Sequence, residues 1–499
     1  MSRDSTLKSV WFTCGSDDLI NDAGIDEFAA WKAKTLAPPR IQELEQFVGN
    51  AMGHGGTATY VDEASGSYNI VLRFRLRPLD GAGAGVQGQQ VALRIPMPGH
   101  TAAVLMPEKV ENEVAWMQYF EEHAIAKVPH VHHWGASAEN EIGHPFILMD
   151  YVDGERLSDC LLRWVQSTDR ADKKRWRTAY EQLAALYLSL DRHRFDKIGS
   201  VAKTASGDWA ITRRPLTHDM HTLLIWVPGA PRDAWPAGPL RSVAEYKSLV
   251  NTLQQTFQDG MRSINIPGQW CWDVAKTYHH RLQRGAAIDM HRAMKTARGR
   301  ILSRSAYAHP ACQSLFDSSR DSGTEKGTAQ FKIFNPDLCA RNILVDPDTA
   351  HITALIDLEF TNAMPAALAD DPPLYLLPFP FVYFLKEKTY AEWWTRYKPG
   401  LDAFLIILED LGKKQQQEHQ TRETPLSKRM RDSIESMQWL INYGYNWMEI
   451  ADMIYWDQRH LFPPVDEARL ETIIQEYQAH TKNQIALYEE ARTALEKKE

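Results

Sequence analysis

Three residues in the second half of the chain have the types and the spacing that metal-assisted chemistry requires. Asp337 and Asn342 lie five positions apart, and Asp357 directly follows the apolar run 354–356. A hairpin between these segments would return the chain to its starting point and place Asp357 close to Asn342. Two carboxylates and an amide oxygen at one point suit a hard divalent cation such as Mg²⁺. An acid that stays off the metal can orient a hydroxyl group and accept its proton, a combination typical of phosphoryl transfer.

Phosphoryl transfer also needs groups that hold phosphates, and the first part of the chain offers them. The small-residue turn at 64–69 lies just before the first strand that we predict, and the amides of Gly66 and Ser67 could face a phosphate. Arg94 lies among apolar neighbours in a predicted strand, where a charge needs a partner or a ligand. Glu113, on the helix that follows, is such a partner, and the pair would hold the guanidinium toward the phosphates.

The hydrophobic pattern predicts the elements that position these groups. In the first part of the chain we predict strands at 68–76 and 91–95 with a Gly-rich connection at 80–88, a helix at 107–120, and short strands near 128–134 and 145–149. The segment 147–152 would then be a hinge between two lobes, and its backbone around Met149 and Tyr151 could bond an adenine edge.

The later part of the chain has a mainly helical pattern with one β-rich segment. We predict a long helix around 176–190, a loop over 199–235, a hairpin with strands at 343–345 and 352–356, and helices from 390 onward with a polar interruption at 413–424. The turn-forming residues 346–349 support the hairpin. The residues with chemical potential therefore fall on a β-rich small lobe and on one hairpin of a helical large lobe.

Composition narrows the functional class. The chain has 499 residues with a net charge of −8 and no strongly basic stretch, which argues against nucleic acid as a partner. Five scattered cysteines fit a reducing compartment, and the first residues lack an apolar signal region, so we expect a cytoplasmic protein. No apolar run is long enough to span a bilayer, so we expect no membrane partner.

These motifs together resemble the aminoglycoside phosphotransferase family, in particular its larger, fungal-type members, a branch of the protein-kinase-like superfamily. The resemblance covers about residues 50–380, and its most specific part is the set of Asp337, Asn342 and Asp357 within 337–346 and 356–360. The other matching stretches are 65–69, 93–96, 111–114, 128–131, 134–135, 146–154, 195–200 and 214–217.

The resemblance implies an α+β, two-lobed protein-kinase-like fold with a small antiparallel sheet and a large, mainly helical lobe. We expect a helical extension at 1–49, a nucleotide-binding lobe at 50–152 and a catalytic lobe at 153–499, with the catalytic hairpin at 331–360. It also implies ATP and Mg²⁺ as cofactors and a hydroxyl group of a small molecule as the acceptor. The residues concerned would be Asp337 as the catalytic acid, Asn342 and Asp357 as metal ligands, and Gly66, Ser67, Arg94, Glu113, Met149 and Tyr151 around the nucleotide.

The chain departs from the family pattern in ways that keep alternatives open. Asn335 stands where the family has a histidine, and Arg94 stands where kinases have a lysine. Asn can both donate and accept hydrogen bonds, and Arg still binds phosphate, so an active enzyme remains the first hypothesis. The alternatives are a catalytically inactive kinase-like binding module and a choline- or homoserine-type kinase. Leu358, where protein kinases have Phe-Gly, argues against a protein kinase. The sequence leaves the oligomeric state open.

Overall fold

The computed structural model describes most of both lobes. The described residues are 18–54, 57–77, 88–227, 229–260, 331–377, 381, 384, 390–419, 424–447, 450–451, 454–455, 458–462, 486, 490 and 493–494. Nearly all of the Gly-rich connection predicted at 80–88, the first 17 residues of the predicted extension and much of the predicted C-terminal helical region lie outside the described residues.

The small lobe is built on one antiparallel sheet. Its strands are β1 (Ala58–Ser65), β2 (Asn69–Leu76), β3 (Gln90–Pro96), β4 (Val131–Gly135) and β5 (Phe146–Asp150). The spatial order is β1-β2-β3-β5-β4, so β3 is the central strand. The register pairs Arg94 of β3 with Val71 of β2 and with Ile147 of β5. Arg94 therefore lies in the middle of the sheet, with a strand on each side.

Strand β1 was missed by the sequence analysis. It is an edge strand with mostly exposed or half-buried side chains, and it includes Asp62 and Glu63, so its hydrophobic pattern is weak. Because Ser65 pairs with Ile70, the small-residue turn connects β1 to β2 and does not precede the first strand of the sheet. The turn at Gly66–Tyr68 is thus held at both ends by strands.

Helix α3, at Met106–Glu122, crosses from the sheet toward the large lobe. Pro107 opens it, which suits the first turn of a helix because proline has no amide hydrogen to leave unpaired. Its apolar residues, among them Trp116 and Phe120, lie in the same buried cluster as residues of the large lobe. The helix also buries Lys109, Asn112 and Glu113, so polar groups are carried into the contact between the lobes.

Two helices precede the sheet: α1 (Asp18–Thr35) and α2 (Pro38–Ala51). Leu44 and Val48 of α2 belong to the core of the small-lobe sheet. Helix α1 approaches the turn after β3 so closely that a Cβ on Gly24 would lie 2.5 Å from the carbonyl oxygen of Gly99. Gly99 itself has φ +75°, a conformation that favours glycine. The two glycines therefore allow the helix to dock on the small lobe.

The large lobe combines helices with short strand pairs. Its elements are β6 (Glu155–Arg156), α4 (Leu157–Gln166), α5 (Arg170–Leu190), β7 (Ser200–Lys203), β8 (Trp209–Arg213), α6 (His218–Trp226), α7 (Val243–Gly260), β9 (Phe331–Phe334), β10 (Ile343–Val345), β11 (Ile352–Leu355), β12 (Asn362–Pro365), α8 (Ala366–Ala369), α9 (Tyr390–His419), α10 (Leu426–Glu435) and α11 (Gln438–Asn446). The strands pair as β11-β10-β6, β12-β9 and β7-β8.

The predicted α+β, two-lobed class is confirmed by this architecture, and so is the predicted hairpin, which is β10 and β11. The predicted loop over 199–235 is wrong, because it contains the β7–β8 hairpin and helix α6. Thr217 caps α6 by accepting a hydrogen bond from the amide of Met220, a local signal that the Gly- and Pro-rich composition concealed. Helix α9 also continues to His419, through part of the predicted interruption. In the described part of the chain, no helix is long and apolar enough to cross a membrane.

Candidate active site

The loop after β9 carries Asp337 and is held by Asn335. The side-chain oxygen of Asn335 accepts a hydrogen bond from the amide of Asp337 at 2.8 Å. Its side-chain nitrogen donates to the backbone carbonyl of Asp357 at 3.2 Å. Asn335 thus uses both of its hydrogen-bonding functions, and it fixes the loop of Asp337 to the segment of Asp357.

Asn342 lies beside Asp337, as the sequence predicted. Its side-chain nitrogen donates to the backbone oxygen and to Oδ2 of Asp337, both at 3.0 Å. Its backbone oxygen accepts from the amide of Ile356 at 2.9 Å, which brings the residue before Asp357 to Asn342. Because the amide nitrogen is turned toward Asp337, the amide oxygen is the atom left to coordinate a cation.

Asp357 has an unusual backbone conformation. Its φ is 67°, in the left-handed region that side chains other than glycine rarely adopt. Such conformations cost free energy and cluster at functional sites, where surrounding contacts hold them. Here the carbonyl of Asp357 is bound by Asn335 and its carboxylate by Arg94, whose Nη2 donates to Oδ1 at 2.7 Å. The side chain keeps 25% of its surface exposed, so a ligand can reach it.

Arg94 joins the small lobe to the segment that carries Asp357. Its Nε donates to Oε2 of Glu113 at 3.0 Å, so the predicted ion pair is present. Its Nη2 also lies 3.3 Å from Oε2 of Glu359. Arg94, Glu113 and Glu359 are all buried. A charge in the middle of the sheet is therefore stabilised by carboxylates from helix α3 and from the segment after β11.

Two further residues of this cluster were missed by the sequence analysis. Lys109 Nζ lies 3.0 Å from Oε2 of Glu359, and the same oxygen accepts a hydrogen bond from Asn69 at 2.8 Å. Lys109 stands between Glu108 and Val110 in the charged first turns of α3, a pattern typical of an exposed helix surface, so no local signal marks it as buried. No local signal could link Asn69 to Glu359, since 290 residues separate them.

The site carries more negative than positive charge. Asp337, Asp357, Glu359 and Glu113 face two buried cations, Arg94 and Lys109. Burial and the nearby Asp357 raise the pKa of Asp337 to about 7. Burial and Glu359 likewise raise the pKa of Asp357, against the opposing effect of Arg94. A divalent cation would offset this excess, so the charge of the residues present fits Mg²⁺.

The oxygen ligands also fit Mg²⁺ in number and kind. Within the described ranges, no three His, Cys, Asp or Glu side chains are grouped to hold a metal ion by themselves. Mg²⁺ in phosphotransfer sites uses one or two protein carboxylates and takes its other ligands from phosphates and water. Asp357 with the amide oxygen of Asn342 would supply the protein's share.

The other residues predicted to contact nucleotide lie in the β1–β2 turn and in the predicted hinge. Gly66 and Ser67 are exposed at the tip of the β1–β2 turn, where Gly66 donates its amide to the oxygen of Asn69 at 2.8 Å. In the hinge, Met149 is buried, and the amide of Tyr151 donates to the carbonyl of Gln90 at 3.2 Å. The amide of Tyr151 is therefore already used by the sheet, and an adenine ring would have to bond other hinge groups.

A small cavity lies beside the loop of Asp337 in the large lobe. Its volume is about 20 Å³, which is room for about one water molecule. Its walls combine aromatic rings with polar groups, and Phe334 and Pro336 connect it to the loop of Asp337. The lining residues are Thr217, His218, Asp219, Tyr246, Val250, Leu253, Phe334, Pro336, Phe360, Asn362, Met364, Tyr445 and Asn446. The cavity therefore adjoins the loop of Asp337 without including Asp337 itself.

Comparison with known proteins agrees with the resemblance seen in the sequence. Residues 83–251 match the model of the phosphotransferase enzyme family, abbreviated APH. This match confirms the resemblance over β3, α3, the hinge and the first part of the large lobe, and it ends before Asp337. One solved structure that the chain resembles is the aminoglycoside phosphotransferase APH(3'')-Id of Streptomyces rimosus, at 16% identity over 73% of this chain and 97% of that chain, with a TM-score of 0.33.

Two curated relatives come from fungi. The "Altered inheritance of mitochondria protein 9, mitochondrial" of Meyerozyma guilliermondii is 22% identical over 60% of this chain and 48% of its own length. A "Subtelomeric hrmA-associated cluster protein" of Aspergillus fumigatus is 24% identical over 62% of this chain and 59% of its own length. The chain thus spans about half to three fifths of the relatives that it matches. The cytoplasmic expectation is contradicted, because relatives in three yeasts carry the mitochondrial name.

Proposed function

We propose that this chain, a phosphotransferase-family protein over residues 83–251, transfers a phosphoryl group from ATP to a hydroxyl group of a small molecule with the help of Mg²⁺. The observation that carries the proposal is the position of Arg94. From the small lobe it contacts Asp357 of the large lobe at 2.7 Å while it is paired with Glu113 at 3.0 Å. The residues expected to bind nucleotide and metal therefore meet at one point.

The residues of the chain would act mainly by positioning and by charge compensation, which dominate phosphoryl transfer. Arg94 and the amide of Ser67 would hold the phosphates, while the amide of Gly66 closes the turn on the carbonyl of Asn69. Asn342 and Asp357 would hold Mg²⁺, which supplies neutralisation of the charge on the phosphate oxygens. Asp337 would orient the acceptor hydroxyl and accept its proton.

The direct test is phosphoryl transfer from labelled ATP to a panel of amino alcohols, sugars and aminoglycosides. We expect Asp337→Asn to lower turnover by about 10²- to 10⁴-fold, the usual contribution of a positioned base, with little change in nucleotide affinity. Asp348→Asn is the matched control, because Asp348 is an exposed aspartate of the same hairpin. An Asp337→Asn variant as active as the control would exclude the proposed role.

One observation favours the second candidate, a catalytically inactive binding module. Arg94 already occupies Oδ1 of Asp357, one of the oxygens that a metal would use. An active site must let Mg²⁺ share or take this carboxylate, whereas an inactive module would keep the Arg94–Asp357 ion pair. Calorimetric titration of the protein with ATP, with and without Mg²⁺, distinguishes the two: Mg²⁺-dependent binding supports the enzyme, and its absence supports the module.

We also propose a mitochondrial location, supported by the names of the yeast relatives. Fractionation of cells that express the native chain, followed by detection with an antibody, tests it. Recovery in the cytosol alone would exclude this location.

A further inference from the structure

Lys109 is a buried cation that the phosphotransfer roles described above do not use. Its side chain retains 2% of its surface, although it stands in the small lobe one turn before Glu113. Burying an ammonium group is costly unless it is paired and hydrogen-bonded. A lysine in this position must therefore be held by specific contacts. These contacts lead to the β1–β2 turn on one side and to the segment after β11 on the other.

On one side, Lys109 is connected to the turn that would hold the phosphates. Its Nζ donates to Oγ1 of Thr101 at 3.5 Å, and that hydroxyl donates to the backbone oxygen of Tyr68 at 2.7 Å. Nζ also lies 4.9 Å from the centroid of the Tyr68 ring, a cation–π distance. Tyr68 directly follows Gly66 and Ser67, so these contacts fix the position of the end of the turn.

On the other side, Lys109 is connected to the segment that would hold the metal. Its Nζ lies 3.0 Å from Oε2 of Glu359, which is two residues after Asp357. Glu359 retains 3% of its surface and also accepts a hydrogen bond from Asn69, the first residue of β2. Lys109 and Asn69 therefore converge on one carboxylate oxygen, and both connect it to the β1–β2 turn.

We propose that Lys109 is a positioning residue that keeps the phosphate-holding turn and the metal-holding segment in a fixed relative position. The inference rests on the proposed function, since it assumes that nucleotide and Mg²⁺ bind at these two segments. Lys109 would not contact the nucleotide or Mg²⁺ directly. It would act through Thr101, Tyr68 and Glu359. Because the two segments are held together, nucleotide bound at one would increase the affinity of the other for Mg²⁺, and the reverse.

Such an effect is a coupling between two ligands and can be measured without turnover. Mg²⁺ should tighten nucleotide binding in the native chain. We call the ratio of the Kd for ATP with a chelator to the Kd with Mg²⁺ the Mg²⁺ factor, and calorimetric titrations under the two conditions measure it. We expect Lys109→Met to reduce this factor by about tenfold or more, within the usual range of coupling energies, while affinity for ATP alone changes little. Lys109→Arg, which keeps the charge, should retain part of it.

A matched control separates positioning from stability. Lys332 is also a buried lysine, with Nζ 2.8 Å from Asp191 and 2.9 Å from Asp370, and neither of these partners has a role in the proposed site. Lys332→Met should lower the melting temperature and leave the Mg²⁺ factor unchanged. Thr101→Val provides a milder variant, because it removes the hydroxyl between Lys109 and Tyr68 and keeps the pair with Glu359; we expect a smaller reduction of the factor.

The outcomes are separable. A native chain that binds ATP with a Mg²⁺ factor which Lys109→Met leaves intact overturns the positioning role alone. If Lys109→Met does not fold, an unchanged factor in Thr101→Val overturns it. A native chain that shows no Mg²⁺-dependent nucleotide binding overturns the proposed function, and the positioning role with it. If Lys332→Met lowers the Mg²⁺ factor as much as Lys109→Met does, then the loss of any buried lysine has this effect. That result also overturns the inference.

Discussion

Replacement of Arg94 by methionine tests the charge arrangement at the centre of the molecule. Arg94 is the cation in contact with Glu113 at 3.0 Å and Asp357 at 2.7 Å, and it lies 3.3 Å from Glu359. Removal of one partner of a buried ion pair typically costs about 3–5 kcal/mol, because it leaves a buried charge uncompensated. Since Lys109 still pairs with Glu359, the uncompensated charges would be those of Glu113 and, in part, of Asp357.

The cost is expected to depend strongly on Glu113. Glu113→Gln alone leaves Arg94 with Asp357 and Glu359, so it should cost only about 1.5–3 kcal/mol, the range for one hydrogen bond to a charged group. In the double variant Arg94→Met/Glu113→Gln the anion and its cation are lost together. Its cost should therefore be smaller than the sum of the two single variants by about 2 kcal/mol.

Urea denaturation of the four proteins, followed by tryptophan fluorescence without nucleotide, yields the free energies of unfolding for this double-mutant cycle. A coupling below about 0.5 kcal/mol would refute the reasoning, because well-separated sites show deviations of that size. Arg94→Lys provides an additional comparison. The donors of an ammonium group all sit on one nitrogen and lack the wide planar spacing of the guanidinium, so lysine should recover only part of the stability.

Three other variants test features outside this cluster. Burial raises the pKa of Asp371 to about 8, above its unfolded value, so the stability due to its protonated form is complete below about pH 4 and is lost as the pH rises to about 8. Relative to the native chain, Asp371→Asn should therefore gain stability by at most about 1.4 kcal/mol per pH unit across this window in denaturation at several pH values; a constant difference would contradict this. Gly24→Ala should displace α1, because its Cβ would lie 2.5 Å from a backbone oxygen, and should increase proteolysis of the first helices; unchanged cleavage would exclude the close approach. Arg429→Met removes the guanidinium whose Nε lies 3.0 Å from Asp370, and should lower the unfolding free energy by about 3 kcal/mol; a change below about 0.5 kcal/mol would show that Lys332 suffices.

The sequence predicted those parts of the site that depend on local pattern. The hairpin of β10 and β11 followed from two short apolar runs around a turn, and this hairpin brings Asp357 to Asn342. The Arg94–Glu113 pair followed because a charge in an apolar strand needs a partner on the next element. In both cases the residues concerned are less than 25 positions apart in the chain.

The parts that the sequence did not predict depend on distant contacts or on weak local patterns. Glu359 was visible next to Asp357, but its bonds to Lys109 and Asn69 join segments that only the folded chain brings together. Strand β1 was missed because an exposed edge strand needs few apolar residues. The location was predicted wrongly, since the cysteine count describes only a redox environment and the lack of an apolar signal region argues only against secretion.

The long separation between the charged partners has a consequence for synthesis of the protein. Arg94 emerges from the ribosome 263 residues before Asp357, and Lys109 emerges 250 positions before Glu359. Until the later segment is made, the two cations lack the carboxylates of Asp357 and Glu359. If the nascent small lobe buried them, Glu113 would be their carboxylate partner. That state is costly, so the small lobe should stay incompletely packed, and in need of chaperone protection, until the chain beyond residue 359 has been added.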